Sequence, residues 1–447
     1  MKNKLMRISL LLLAAAPIAA AQSATPTITA GDLIPLTLKS DIRTENMLSG
    51  SMEVGTTYDD NVLFGSSNRI GAWSFVFRPR MRLERSSKRF SVTFHASPWV
   101  VVFQNVSQRD QFTGDSGFDA TYRFTPHLSM KMREAFVYTD HVAFGPESGD
   151  TGETTTTGTT NLLDPTNDLI LIPFARRISS LTDIGLTYLL SPSSDVQVSG
   201  DFYLLRLRNE NVGTSVPFVN TEASGGRALY NYHFSPRIAS GFMYDFQDYS
   251  FEQDRSSRNI VHTFFYVQAL QLTKRQSLEG FAGPQYSEAT NSGTTGAGGG
   301  TGSPFPPGTS DTWTWAGGLA YGWQGVNTKL RASVLHDIGA GEGVLGSVER
   351  TEGTIELRRQ LTTSWVGSAG VGYEKNQSLF TTSDIGSLGS FFANAGITYK
   401  LGEAWRFDAR YYRNQQSRTG VVNTALAGNR DQIEFTVGYQ IRRPLGR

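Results

Sequence analysis

A two-residue hydrophobic period restarts segment after segment along most of this chain, and it limits the possible folds more than any other feature. In EAWRFDARYYRNQQS (403–417), Trp405, Phe407, Ala409 and Tyr411 fall on one side. Arg406, Asp408, Arg410 and Tyr412 fall on the other. Strand side chains alternate between two faces, so this segment has one apolar and one charged face. QIEFTVGYQI (432–441), AWSFVFRPRMRLER (72–85), SDVQVSGDFYLL (194–205) and GSFFANAGITYKL (389–401) repeat the pattern. One such segment would suit a soluble sandwich equally well. A long series of them, each of roughly ten residues, predicts a transmembrane barrel.

The links between segments keep a rhythm of their own. Tight links fall at 123–128, 189–195, 233–238, 272–277, 323–328, 360–365 and 400–405. Between them lie long polar links rich in Gly, Ser, Thr and Asp, the largest near 141–172 and 287–311. Short periplasmic turns alternating with long extracellular loops are the habit of outer-membrane barrels, whereas a propeller or sandwich has no cause to keep such a step. The expected fold is therefore all-β: a transmembrane antiparallel up-and-down β-barrel of roughly eighteen strands, an even number that leaves both termini in the periplasm. The segment RNIVHTFFYVQALQL (258–272) is apolar on both faces, so its orientation cannot be read. Trp73, Trp313, Trp315, Trp365 and Trp405 lie near expected strand ends, where interfacial girdles place aromatics.

The N-terminus assigns a compartment. Lys2, Lys4 and Arg7 precede the apolar run Ile8–Ala20, and small residues at Ala19 and Ala21 precede Gln22. This is the pattern of a secretory signal peptide (1–21) cleaved near Ala21. A periplasmic lead-in (22–49) and the barrel (50–447) follow. The chain has no cysteine, which excludes lipidation on Cys, disulfides and thiolate metal sites. With 41 Lys and Arg against 40 Asp and Glu, it has no basic field for nucleic acid. These features place the protein in the outer membrane of a diderm, Gram-negative-type bacterium. Its expected partners are outer-membrane lipid, the barrel assembly machinery, and a polysaccharide or small polar solute as cargo.

One stretch stands out. TTYDDNVLFG (56–65) ends the first strand at Tyr58 with Asp59, Asp60 and Asn61, then spends Val62, Leu63 and Phe64 on a loop. The expectation is an outer rim, where Asp-Asp-Asn ends the strand in water by local side-chain-to-backbone bonding. The apolar triplet then folds over the rim or into the lumen. YDDNVLF followed by WSFVFRPRMRLER, with Pro79 inside the second strand, resembles the outer-membrane β-barrel porin family associated with exopolysaccharide and capsule export. The resemblance covers about thirty positions (56–85). It implies a channel fold, an export role, and Tyr58, Asp59, Asp60, Asn61 and Pro79 as the family's rim motif.

Little in the sequence favours an enzyme. GEGVLG (341–346) satisfies a dinucleotide-binding pattern but lies in an expected link between strands, without the strand-and-helix context that pattern needs. There is no G-x-S-x-G elbow and no H-E-x-x-H pair. His95, sharing a face with Ser91 and Ser97, is the best candidate for catalysis and reads more simply as a lumen histidine. Glu147, Asp150 and Glu153 could bind calcium, although a solvated loop explains them as well. No cofactor or metal is expected.

By parity the lumen face carries Arg78, Arg80, Arg82, Lys131, Arg133, Arg227, Lys329, Arg331, Arg358, Arg406 and Arg410. Glu53, Asp119, Asp183, Asp201, Asp245, Glu356, Asp408 and Glu434 share that face. Two readings stay open: a self-neutralising ionic lining, or an anion-selective wall in which Arg78, Arg80 and Arg82 form a positive stripe. The sequence reading is a channel exporting a polysaccharide or another anionic solute. A passive-diffusion porin and an adhesive surface barrel are the alternatives.

Overall fold

The computed structural model describes residues 46–64, 69–106, 110–140, 175–209, 219–251, 257–291, 308–341, 345–379, 386–419 and 427–445. These form eighteen strands: β1 (Met47–Asp59), β2 (Ala72–Ser86), β3 (Phe90–Phe103), β4 (Gln111–Arg123), β5 (Leu128–Asp140) and β6 (Ala175–Ser191). Next come β7 (Ser194–Asn209), β8 (Thr221–Ser235), β9 (Ile238–Phe251), β10 (Ser257–Thr273), β11 (Gln276–Asn291) and β12 (Gly308–Gln324). The last are β13 (Thr328–Gly341), β14 (Leu345–Gln360), β15 (Trp365–Ser378), β16 (Ser387–Leu401), β17 (Trp405–Arg418) and β18 (Gly428–Pro444). Each strand pairs antiparallel with its chain neighbours, and β1 also pairs with β18, closing the sheet into a barrel. Closure removes both free edges, so every strand's backbone groups face a partner strand.

Every tight link read from the sequence joins two strands at one end of the barrel. The opposite end collects the longer connections, including the segments around 141–172 and 287–311, which lie largely outside the described residues. The signal peptide (1–21) and the Glu147, Asp150 and Glu153 cluster lie wholly outside them. β1 starts at Met47 and pairs there with Pro444, so the last residues of the expected 22–49 lead-in already belong to the wall.

The two faces of the wall are chemically opposite. Outward positions expose large apolar side chains all round, among them Val54, Phe75, Ile184, Phe264, Ile355 and Phe435. Aromatics crowd both margins of this belt. Trp73, Trp313 and Trp315 lie toward the loop end, and Trp365 and Trp405 toward the turn end. Several stack in cross-strand pairs, such as Tyr58–Trp73 with centroids 5.2 Å apart and Trp405–Tyr439 at 4.9 Å. Such pairs add to sheet stability beyond their burial.

Inward positions are mostly polar, but apolar clusters interrupt them: Leu205, Tyr249, Phe251, Val261 and Leu388 gather toward the loop end, and a second cluster lies lower on the wall. On β8 to β13, Leu229, Met243, Phe265, Val267, Phe281 and Leu335 point inward and form a buried apolar cluster. β10 is therefore apolar on both faces. Phe264 and Tyr266 face out while Phe265 and Val267 face in. Its period vanished from the sequence because neither face is polar.

If the belt sits in a bilayer, the cost of an outward charge must fall with distance from mid-strand. Ile355→Arg, near the middle of β14, is expected to destabilise the barrel by about 2–4 kcal/mol in lipid vesicles. Leu361→Arg, in the tight link after β14, is expected to cost at most about 1 kcal/mol. Urea unfolding monitored by tryptophan fluorescence checks this, and equal costs would contradict a membrane-embedded belt.

Candidate functional site

The Asp-Asp-Asn stretch lies at the loop end of the β1–β18 seam. Asp59 turns inward and is 1% exposed; its carboxylate accepts from Arg430 Nε at 2.7 Å and from Gln432 Nε2 at 3.2 Å. Asp59 Oδ1 also accepts the Asn61 backbone N–H at 2.9 Å, the local turn expected of such residues. Asn61 Nδ2 donates to the Asn429 carbonyl at 2.8 Å, and Asp60 accepts from the Asp431 N–H at 2.8 Å. The rim motif thus keeps the expected local bond but meets water only at Asp60; Asp59 and Asn61 end the strand buried against β18, as a clasp on the barrel's closing seam.

Val62 and Phe64 fold into the lumen, where they pack with Ala72, Val76, Val101 and Phe103. Phe64 holds a φ of 50°, a left-handed conformation costly for a bulky residue and kept here by its burial. Tyr58 lies on the outer face against Trp73. Pro79 also lies outward. The register on either side of a gap in the β2–β3 ladder sets it opposite Pro98, where neither residue has an N–H to give.

Midway down the same seam sits the densest charge network. Glu53, nearly buried, meets Arg78 at 3.2 Å, Arg80 at 3.4 Å and, across β18, Arg406. Gly438 stands between Glu53 and Arg406 in the register; a Cβ there would come within 3.2 Å of Glu53 Cγ. Arg78 also approaches Glu434 at 3.7 Å and lies over the Trp99 ring, 4.7 Å from its centroid. Arg82 pairs with Glu84 on its own strand at 2.6 Å. Asp408 takes Arg406 Nε at 2.7 Å and Arg410 at 3.6 Å.

The three arginines of β2 are thus each answered by a carboxylate, and Arg78 is sealed from solvent. Buried pairs of this kind fix geometry more than they add stability. Glu53 reaches four strands' worth of wall through its three arginines, which no reading of one strand could show.

The remaining inward cations are dispersed. Arg227 pairs with Asp245 at 3.1 Å on β8 and β9. Arg133 on β5 stands in register between Asp119 and Asp183. Lys131 stands between Thr121 and Gly185. Arg331 lies opposite Glu356, and Lys329 opposite Arg358. His95 meets Asp115 across the β3–β4 ladder at 3.8 Å. GEGVLG falls at the β13–β14 link, with residues 342–344 outside the described set.

No family model and no curated relative matches this chain. Among solved structures it is similar to the outer membrane protein opdK from Pseudomonas aeruginosa, at 11% identity over 89% of this chain and 99% of that one, with a TM-score of 0.42. OccAB4 from Acinetobacter baumannii gives 10% identity over 91% and 100%, with a TM-score of 0.43. Fiu, the ferric-catecholate import receptor from E. coli K12, gives 9% over 89% and 82%, with a TM-score of 0.43. Nothing about cargo transfers at such identities.

The clasp yields a quantitative contrast. Asp59→Ala strands Arg430, itself 2% exposed, without its carboxylate and is expected to cost about 3–5 kcal/mol. Arg69→Ala removes an exposed pair with Asp60, 3.0 Å long, and is expected to cost under about 1 kcal/mol. Unfolding of the two variants in the same detergent checks the order.

Proposed function

We propose that the chain is an outer-membrane channel that passes small anionic solutes. One observation carries the reading: a closed barrel with an apolar belt outside and interlinked charges inside. A sheet can cross a bilayer only when closed, and charges on the inner wall set which ions a water-filled lumen favours. The bias toward anions is supported by the inward cations of β13, β14, β16, β17 and β18 together with those of β2 and β5. In this reading lipid covers the belt, the barrel assembly machinery inserts the chain, and residues 1–21 are removed on export.

Passage of an acidic polysaccharide, implied by the resemblance of residues 56–85, is the second reading. It would use the same basic wall. Conductance separates both from a purely adhesive barrel, which passes no current. A long polyanion such as polygalacturonate should occlude the pore for far longer than its monomer if polysaccharide is the cargo.

The test is single-channel recording across a KCl gradient, where the reversal potential is expected on the anion-selective side. Arg80→Gln combined with Arg82→Gln leaves Glu53 with two of its three arginines and takes Arg82 from Glu84, and is expected to move that potential toward cations. The shift should grow as salt is lowered, because screening shortens with ionic strength. A conducting channel with cation preference in the unaltered protein would contradict the proposal.

A further inference from the structure

The inner wall of β14 to β17 contains a recess bounded by cations. One register row runs from Arg358 on β14 through Ser368 on β15 and Gly396 on β16 to Arg410 on β17. The two arginines stand three strand spacings apart, about 14 Å between Cα atoms. Nothing larger than a serine side chain rises between them in that row. Arg410 leans into the space: a Cβ built on Gly396 would meet Arg410 Cγ at 3.2 Å and Ser368 Oγ at 3.1 Å. Four residues along β16 toward the turn end, Lys400 stands opposite Arg406.

The charges converge on this recess from four strands, β14, β16, β17 and β18. Arg358 feels Arg406, Arg410 and Asp408, and Lys400 feels Arg358, Arg406, Arg442 and Asp408. The carboxylate at the centre, Asp408, is already engaged by Arg406 at 2.7 Å, Arg410 at 3.6 Å and the Thr398 hydroxyl at 2.5 Å. Glu434, opposite Arg410 on β18, also faces Arg78 at 3.7 Å, and Glu53 beyond it is shared among Arg78, Arg80 and Arg406. Cations therefore outnumber carboxylates where these side chains meet, and like charges held together favour an added anion. Arginine forks bind two oxygens of a carboxylate or phosphate at once, and small residues beneath them leave room for the group.

We infer that this recess is an oxyanion site, in which Arg358, Arg410 and Lys400 hold the carboxylate or phosphate group of a solute over Ser368 and Gly396. The site rests on the channel reading and deepens it, naming the chemical group that the wall retains. A solute held there would be handed along the wall toward Arg406 and Arg442 as a series of weak contacts.

The test is calorimetric titration of the folded, detergent-solubilised barrel at low salt with inorganic phosphate and, separately, glucuronate. The unaltered protein is expected to bind at least one of them. Arg358→Gln combined with Arg410→Gln should weaken binding about tenfold or more, since each removed fork costs a charge-assisted pair. Gly396→Val fills the recess without changing charge and should weaken binding comparably, which a diffuse positive field would not predict. Lys274→Gln, in the tight link between β10 and β11, should bind as the unaltered protein does. Heat-modifiable gel mobility shows that each variant is folded, and Gly396→Val decides the matter if the double arginine variant is not. Equal affinity in the unaltered protein and in folded variants overturns the site, as does binding of neither anion. A barrel that conducts KCl yet binds neither anion loses the site and keeps the channel; one that binds but never conducts keeps the site and loses the channel.

Discussion

Everything in this barrel depends on the pairing of β1 with β18. Seventeen hairpin-like neighbours would still leave two long edges, and exposed backbone groups cannot be left in a hydrocarbon layer. The seam runs in unbroken register from Met47 opposite Pro444 to Asp59 opposite Gln432. It is fastened at two levels. At the loop end the Asp59–Arg430 pair and the Asn61 bond to Asn429 extend the contact past the last ladder pair. Lower down, Glu53 binds arginines on β2 and β17 at once, reaching over the bare Gly438 of β18. The same carboxylate that organises the lumen's charges therefore also ties the first strand to both sides of the closure.

This coupling explains why the inner wall is ionic rather than merely polar. An ion pair out of water returns little net free energy, but it penalises any register in which partners miss each other. A slip of one residue along the seam would turn Glu53 into the lipid and Met52 into the lumen. Apolar packing alone would tolerate several closures; the charges tolerate one. Around the apolar cluster of β8 to β13, tight links join β8 to β9, β10 to β11 and β12 to β13, and longer connections at the opposite end join the other pairs.

The sequence disclosed what depends on one strand at a time. Alternation in 403–417 and 432–441 marked the inner and outer faces, and the tight links marked one end of the barrel. It could not disclose partnerships across the closure, because they join residues far apart in the chain. Arg406 lies 353 residues from Glu53, and Arg430 lies 371 from Asp59. For the same reason Arg78, Arg80 and Arg82 read as an open stripe although carboxylates meet each of them. The Asp-Asp-Asn run reads as a strand end, but the burial of Asp59 and Asn61 against β18 depends on a partner strand far along the chain. The recess of β14 to β17 is silent in the sequence because its floor is made of residues such as Ser368 and Gly396, which carry no chemical signal of their own.

The seam is tested most directly by a covalent bond across it. Ser51 and Gln440 are inward-facing register partners on β1 and β18. Backbone bonds at Asn46–Leu445 and Asp60–Asp431 place them in a non-hydrogen-bonded pair, the closer of the two antiparallel pair types. The chain has no cysteine of its own, so Ser51→Cys with Gln440→Cys can form a single disulfide. Mild oxidation of the membrane-inserted protein should convert it almost completely to a faster-migrating, reducible form on a denaturing gel, with unchanged conductance. Failure of that pair to close, alongside ready closure of a pair offset by two residues such as Ser49→Cys with Gln440→Cys, would contradict the seam.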